Sequence, residues 1–196
     1  MGVVTVMLCG VGGQGTILAA DVLAKVAVGA GLDVKLSEVH GMAQRGGSVD
    51  TVVRFGECVH GSTTDPGCAD HLVAFEMIEA ARRLHYVKPS GRLLVNARTI
   101  QPLPVLIGLV DAPEGLEPRL DAEEAVFLDA EALACEAGSP KSANIVLMGA
   151  LSTGLDFAED LWREVIRARV PAKTVDTNLR AFELGRTTCR EKECMR

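Results

Sequence analysis

Met7-Leu8-Cys9-Gly10-Val11-Gly12-Gly13-Gln14-Gly15 carries the chain out of an apolar run, residues 3–8, and into a helical pattern that lasts from Thr16 to Gly29. A strand that ends in a glycine turn and reopens as a helix makes an anion-binding corner. The N–H groups of the first helical turn lack partners, and the helix dipole adds partial positive charge there. Gly10, Gly12 and Gly15 match G-x-G-x-x-G, which points to a phosphate-bearing ligand. Gly13 and Gln14 fill the middle of the motif, where a Gln side chain offers donors and an acceptor to a ligand or a neighbouring chain.

Around this corner the sequence reads as strand (3–9), helix (14–29) and strand (33–39). That is a βαβ unit whose strands should run parallel with a right-handed crossover. Ile17, Ala20, Ala24 and Ala27 lie near one helix face, small enough for close packing on a sheet, and Gly29 and Gly31 end the helix. Residues 48–55 then alternate with period two, a further strand. Gly56-Glu57 reads as a turn leading to a short hairpin partner at 58–60. Apolar strands are expected at 71–75, 92–96 and 125–129, with a turn at 88–91 and helices over 77–84 and up to Ala137. The stretch 101–118 contains four prolines and reads as irregular, with a short strand at 105–110. Helices should cover 143–155, 158–168 and 174–184. The expected fold is α/β: a Rossmann-like βαβ start, a mixed sheet flanked by helices, and a helical C-terminal third. One domain should span residues 1–185, followed by a short basic tail, 186–196, solvated and partly disordered.

Bulk properties narrow the function. At 196 residues the chain can bury a core without disulfides or a metal. It has 26 acidic and 20 basic residues and no dense basic stripe, which argues against general nucleic-acid binding. No apolar stretch reaches the roughly 20 residues of a membrane span. The chain opens directly into a strand without a basic leader, so the expectation is a soluble cytoplasmic protein. Cys9, Cys58, Cys68, Cys135, Cys189 and Cys194 show no C-x-x-C pair, the tight spacing that zinc sites and iron–sulfur clusters use. In a reducing cytosol all six should be thiols.

A second glycine-bearing segment, Gly41-Met42-Ala43-Gln44-Arg45-Gly46-Gly47-Ser48, stands where a dinucleotide fold would continue with a crossover helix. Its glycines let the backbone approach another surface, Met42 is adaptable and apolar, and Gln44 and Arg45 supply hydrogen-bond donors. Arg45 suits a phosphate, a carboxylate or a partner's acidic group. The loop should lie beside the first glycine turn. Glu38 stands where a ribose-binding acid would be, so the residues also fit a nicotinamide-dependent dehydrogenase. His40 is a candidate proton carrier or a structural imidazole. Asn144 either bonds the ligand or caps the helix after Ser142.

Together the 10–15 and 41–48 segments resemble the gamma subunit or domain of 2-oxoacid:ferredoxin oxidoreductases. The Gly-Met-Ala-Gln-Arg-Gly-Gly form is most similar to the beta subunit of indolepyruvate ferredoxin oxidoreductase. The segments 139–149 and 178–185 extend the resemblance over nearly the whole chain. It implies a complex that decarboxylates a 2-oxoacid (pyruvate or indolepyruvate, for example) with thiamine diphosphate and magnesium. Electrons would pass through iron–sulfur clusters to ferredoxin, and the acyl group would go to coenzyme A. This chain has no Gly-Asp-Gly with a distant Asn and no cluster-binding cysteine set. By the resemblance those cofactors belong to partner subunits, and this chain is inactive alone. It would help bind coenzyme A through Gly10, Gly12, Gly13, Gln14, Gly15 and Asn144, and bring the loop to the partner's active site. A pure assembly role, and a homodimer in isolation, are also compatible with the residues.

Overall fold

The computed structural model describes residues 2–42 and 46–192. Its elements in chain order are β1 (Val4–Val11), α1 (Thr16–Gly29), β2 (Asp33–His40), β3 (Ser48–Gly56), β4 (Ala69–Ala74), α2 (Met77–Arg83), β5 (Val87–Asn96), α3 (Leu103–Leu106), α4 (Leu116–Asp121), β6 (Val126–Leu128), α5 (Ala130–Ala137), α6 (Ala143–Leu151), α7 (Glu159–Arg169) and α8 (Val175–Glu191). The strands form one mixed sheet in the order β2-β3-β1-β4-β5-β6. β3 runs antiparallel to both of its neighbours, whereas β1, β4, β5 and β6 are mutually parallel.

The βαβ expectation is corrected here. β1 and β2 do run in the same direction, but β3 returns between them, so they are not neighbours. The alternation of residues 48–55 identifies a strand and says nothing of which strands it separates. β3 places Ser48, its first residue, directly opposite Val11, the last residue of β1. The topology therefore delivers the 41–48 loop to the carboxyl end of β1, where the glycine turn begins.

One face of the sheet packs on α1, α5, α6, α7 and α8, in a core that includes Leu8, Val53, Phe55, Leu94, Ile145, Trp162 and Phe182. The other face is thinner, with Met7, Cys9, Val52, Leu72 and Leu93 covered by α2 and by Leu120 of α4. α1 and α2 thus leave β1 and β4 on opposite faces, which opens a crevice at the carboxyl end of those two strands. Ligands of open α/β sheets bind at such a point. The buried face of α1 is Ala19, Ala20, Leu23, Val26 and Ala27, while Ile17 is exposed, against the expected face. α1 is apolar nearly all round, so periodicity alone did not orient it.

Four other expectations are corrected. Residues 58–60 form no strand; the chain there folds over the sheet, with Val59 N–H donating to Asp33 and Arg54 donating to the Gly61 and Thr63 carbonyls. Residues 105–110 are not a strand: Pro102 and Pro104 start one short helical turn instead. The 88–91 turn belongs to β5, with a register irregularity opposite Ala69–His71. The tail expected from residue 186 begins as ordered helix: α8 continues to Glu191, with Arg186 and Cys189 buried. Residues 193–196 lie outside the described residues, as does Cys194 with them. No helix among the described residues is long and apolar enough to cross a membrane.

Candidate functional site

The glycine turn is braced from three sides. Gln14 folds back so that its Oε1 accepts from Val11 N–H at 2.7 Å, and its Nε2 donates to the Phe75 carbonyl at 2.9 Å. Gly10 leaves the space this needs: a Cβ there would stand 2.7 Å from Gln14 Oε1 and 2.8 Å from the Phe75 Cβ. Gly15 takes a left-handed conformation, φ 80°, as the cap of α1, with no side chain capping the first turn. Asn144, buried at the start of α6, donates from Nδ2 to the Gly15 carbonyl at 3.2 Å. Its Oδ1 accepts from Ile145 N–H at 3.0 Å. Gln14 and Asn144 therefore hold the turn in shape, and the first-turn N–H groups of α1 remain uncapped.

The two glycine segments touch. Gly12 N–H donates to the Gly47 carbonyl at 2.8 Å, and Gly46 N–H donates to the Gly12 carbonyl at 3.3 Å. Ser48 is anchored in turn, donating to Glu79 Oε2 at 2.5 Å and accepting from Arg83 Nη2 at 3.2 Å. At the loop's other end Gly41 and Met42 are exposed, and His40 Nδ1 donates to the adjacent Gly41 carbonyl at 2.9 Å. Ala43, Gln44 and Arg45 lie outside the described residues, and the readings of Arg45 with them.

Two grooves flank the turn. The larger, about 620 Å³, runs between Gly12–Gly15, Phe75, the end of β5 and the start of α6. It gathers Asn96, Arg98, Glu131, Lys141 and Asn144. Asn96 is buried and bonds Phe75 O, Glu131 Oε2 and Ala130 N–H; Arg98 pairs with Glu131 at 2.7 Å, and Lys141 is exposed. The smaller groove, about 500 Å³, lies on the α1 side with Thr16, Ile17, Glu38, His40 and Val49. Glu38 and His40 stand 3.7 Å apart there. The first groove offers two cations and a helix N-terminus to an anion; the second presents an acid to the same turn.

The titratable groups beneath the turn are shifted by burial. The Cys9 thiol is pushed well above its ordinary range by desolvation, and then by the Asp50 and Glu79 carboxylates. It stays protonated, a buried core residue of β1. Glu76 is raised by burial, partly offset by hydrogen bonds from the Glu79 and Ile78 N–H groups, by which it caps α2, and from Ile100 N–H. For Arg83, burial lowers the pKa, but the hydrogen bond and charge of Asp50 outweigh it and hold the guanidinium ionised.

Asn96, Arg98, Lys141, Glu79 and Arg83 were not singled out in the sequence. Asn96 had a usable signal: it is a polar residue ending an apolar parallel strand, at the end where such sheets bind ligands. Arg98, Glu79 and Arg83 reach the site through contacts 31 or more residues apart, such as Ser48–Glu79, and leave no local pattern.

The chain is similar to known proteins over nearly its whole length. The family described as pyruvate ferredoxin/flavodoxin oxidoreductase matches residues 5–188. The chain is 45% identical over 193 residues to the indolepyruvate oxidoreductase subunit IorB of Thermococcus kodakarensis, covering 95% of this chain and 96% of that one. It is 36% identical over 188 residues to the IorB subunit of Methanothermobacter thermautotrophicus. Its fold is similar to the gamma subunit of a keto/oxoacid ferredoxin oxidoreductase from Geobacter sulfurreducens, with a TM-score of 0.71, 22% identity and coverage of 96% and 99% of the two chains. It is also similar to part of the 2-oxoglutarate:ferredoxin oxidoreductase of Magnetococcus marinus, solved with 2-oxoglutarate, coenzyme A and succinyl-CoA bound. There the TM-score is 0.75 at 22% identity, over 97% of this chain and 32% of that one. On the match to nearly its whole length, the chain belongs to the pyruvate ferredoxin/flavodoxin oxidoreductase family.

Proposed function

We propose that this chain is the gamma-type, non-redox subunit of a thiamine-diphosphate-dependent 2-oxoacid:ferredoxin oxidoreductase, with indolepyruvate as the favoured substrate. It helps bind coenzyme A and supplies the 41–48 loop to an active site completed by its partners. The observation that carries the reading is the pair of backbone hydrogen bonds between Gly12 and Gly46–Gly47, which join an anion-binding turn to the loop. The groove beside them fits an anionic ligand, with uncapped N–H groups at α1 and the Lys141 and Arg98 cations on its wall. Coenzyme A, when bound, contributes the thiol that accepts the acyl group. The Gly12–Gly15 backbone, Lys141 and Arg98 would hold its phosphates in this groove, and Asn144 and Gln14 would keep the turn in register. Thiamine diphosphate, magnesium and the iron–sulfur clusters are assigned to partner subunits, through which ferredoxin is reached.

The relatives' designation as oxidoreductase subunits supports a heteromer. So does the exposure of Leu103, Leu106, Ile107, Leu109 and Val110 in one short segment, an apolar run of the kind that partners cover. The nicotinamide reading is weakened by β3. In a dinucleotide-binding sheet the acid arrives on the strand next to β1, whereas Glu38 is displaced outward by one strand spacing, about 4.8 Å. Reconstitution tests the proposal. The isolated chain should show no 2-oxoacid-dependent reduction of ferredoxin, and activity should appear on adding thiamine- and cluster-bearing partners. Turnover by the chain alone, or micromolar NADH binding to it, would overturn the reading.

A further inference from the structure

Glu79 is nearly fully buried, at 4% exposure, on a helix of only seven residues. A carboxylate in that position is unfavourable unless it is paired and hydrogen-bonded. Its partners are the Ser48 hydroxyl at 2.5 Å, Arg82 at 3.4 Å and Arg83 at 3.9 Å. Arg83 is itself fixed by Asp50, which accepts from Nε at 2.9 and 2.7 Å and lies 2.7 Å from Nη2. The Ser48 hydroxyl thus donates to one fixed group and accepts from another. It cannot move without breaking both bonds.

Ser48 follows Gly46 and Gly47, whose backbone is bonded to Gly12. The second end of the 41–48 loop is therefore tied down by side chains as well as backbone, while at the first end His40 is held by its ladder pairing with Val49 and its side chain reaches only the next residue. The tie also reaches the anion side of the turn. The Gly12–Gly13 peptide is trans, so its carbonyl and its N–H point in opposite directions. The carbonyl takes the loop's Gly46 N–H, and the Gly13 N–H points away from the loop. One rigid plane carries the loop contact and the Gly13 N–H.

We propose that Glu79 and Arg83 are positioning residues, which hold the second end of the 41–48 loop against the glycine turn by clamping Ser48. The assignment rests on the reading of that loop as a wall of the partner's active site. It adds that the geometry of this wall is set on the opposite side of the sheet from α1, by side chains that line neither groove. Ser48→Ala removes the clamped hydroxyl, Glu79→Gln removes the charge at nearly constant shape, and Ser48→Thr keeps a hydroxyl.

Two readouts test it. Amide hydrogen exchange of the full chain by NMR should show the Gly12 and Gly46 N–H groups exchanging at least about tenfold faster in Ser48→Ala and Glu79→Gln, with other slow amides unchanged. Ser48→Thr should restore the rates. In the complex reconstituted with its partners, kcat for ferredoxin reduction should fall roughly 10- to 100-fold, the scale of an ångström's misplacement, with a smaller change in KM for the 2-oxoacid. Unchanged exchange at Gly12 and Gly46, or equal acceleration across the whole chain, would overturn the clamp. Faster exchange confined to the loop end with undiminished kcat would leave the clamp standing and overturn the reading of the loop as part of the active site.

Discussion

Glycines bring backbones together at two places in this chain, for opposite reasons. Between α6 and α8, a Cβ on Gly149 would stand 2.1 Å from the Phe182 carbonyl oxygen, and one on Gly185 would stand 2.0 Å from that of Val146. Every residue of α6 from Asn144 to Leu151 is buried. At the turn, a Cβ on Gly13 or on Gly46 would meet nothing within 4 Å, yet both residues have positive φ, 104° and 78°. The helix pair demands glycine because there is no room. The turn demands it because the backbone must bend left-handed there while the first turn of α1 stays uncapped. The two places are linked: the α6/α8 contact fixes where Asn144 sits, and Asn144 fixes Gly15. A sterically locked pair of helices thus holds an open, conformationally demanding turn in place.

This contrast is broken most severely at the helix pair. Gly149→Ala and Gly185→Ala each force a methyl onto a backbone carbonyl that no side-chain rotation can relieve. The helix-propensity gain of about 1 kcal/mol is outweighed by overpacking. A net loss of roughly 3 kcal/mol or more is expected, read as a lowered urea midpoint, or as failure to accumulate folded protein. Gly15→Ala should be intermediate. Its φ of 80° strains an alanine by about 1–2 kcal/mol, and the new methyl would stand 2.7 Å from Asn144 Nδ2. Asn144 can rotate away, so the fold should survive while coenzyme A binding in the assembled complex is lost. Gly13→Ala should show the strain without the contact: about 1–2 kcal/mol of stability, with weakened binding. If Gly149→Ala proved as mild as Gly13→Ala, the distinction between steric and conformational demand would be wrong.

The sequence made the open member of this pair legible and hid the closed one. Gly10, Gly12, Gly13 and Gly15 announce themselves because four of them separate an apolar strand from a helix. Gly149 and Gly185 are single glycines within helical patterns, and only the crossing of α6 with α8 reveals what each one faces. The same rule covers the rest of the fold. β1, α1 and β3 follow from local period, but the insertion of β3 between β1 and β2 is a long-range pairing that no local pattern encodes. In residues 103–110 a short apolar run has no period that separates strand from helix, and the two prolines settle it as a helical turn. The end of α8 looked polar because Arg186 and Arg190 dominate it. Yet Phe182, Gly185, Arg186 and Cys189 fall at helical spacing and are buried together. At the site, the loop and the turn were readable and their adjacency expected. The groove cations arrive from the segments just after β5 and just before α6, and the Glu79–Arg83 clamp from α2, by tertiary contact alone.

The smallest effect sharpens the open side of the comparison. Lys141 is exposed, and its substitution should leave stability within about 0.5 kcal/mol. If it faces a phosphate across the groove, Lys141→Ala removes one charge-assisted contact at the solvent edge, worth about 1 kcal/mol, or roughly a fivefold weaker Kd for coenzyme A in the complex. A contact between exposed charges is screened over about 8 Å at physiological ionic strength, so the difference from the parent protein should shrink as salt is raised. The backbone donors behave otherwise: Gly13→Ala disturbs their direction rather than a net charge, and its penalty should persist at high salt. Titrating coenzyme A at low and high salt against both variants separates the two contributions. A Lys141→Ala penalty that does not change with salt would place the lysine's contribution in packing. Its absence at every salt concentration would move the phosphates out of this groove, toward the face of the turn that carries Glu38 and His40.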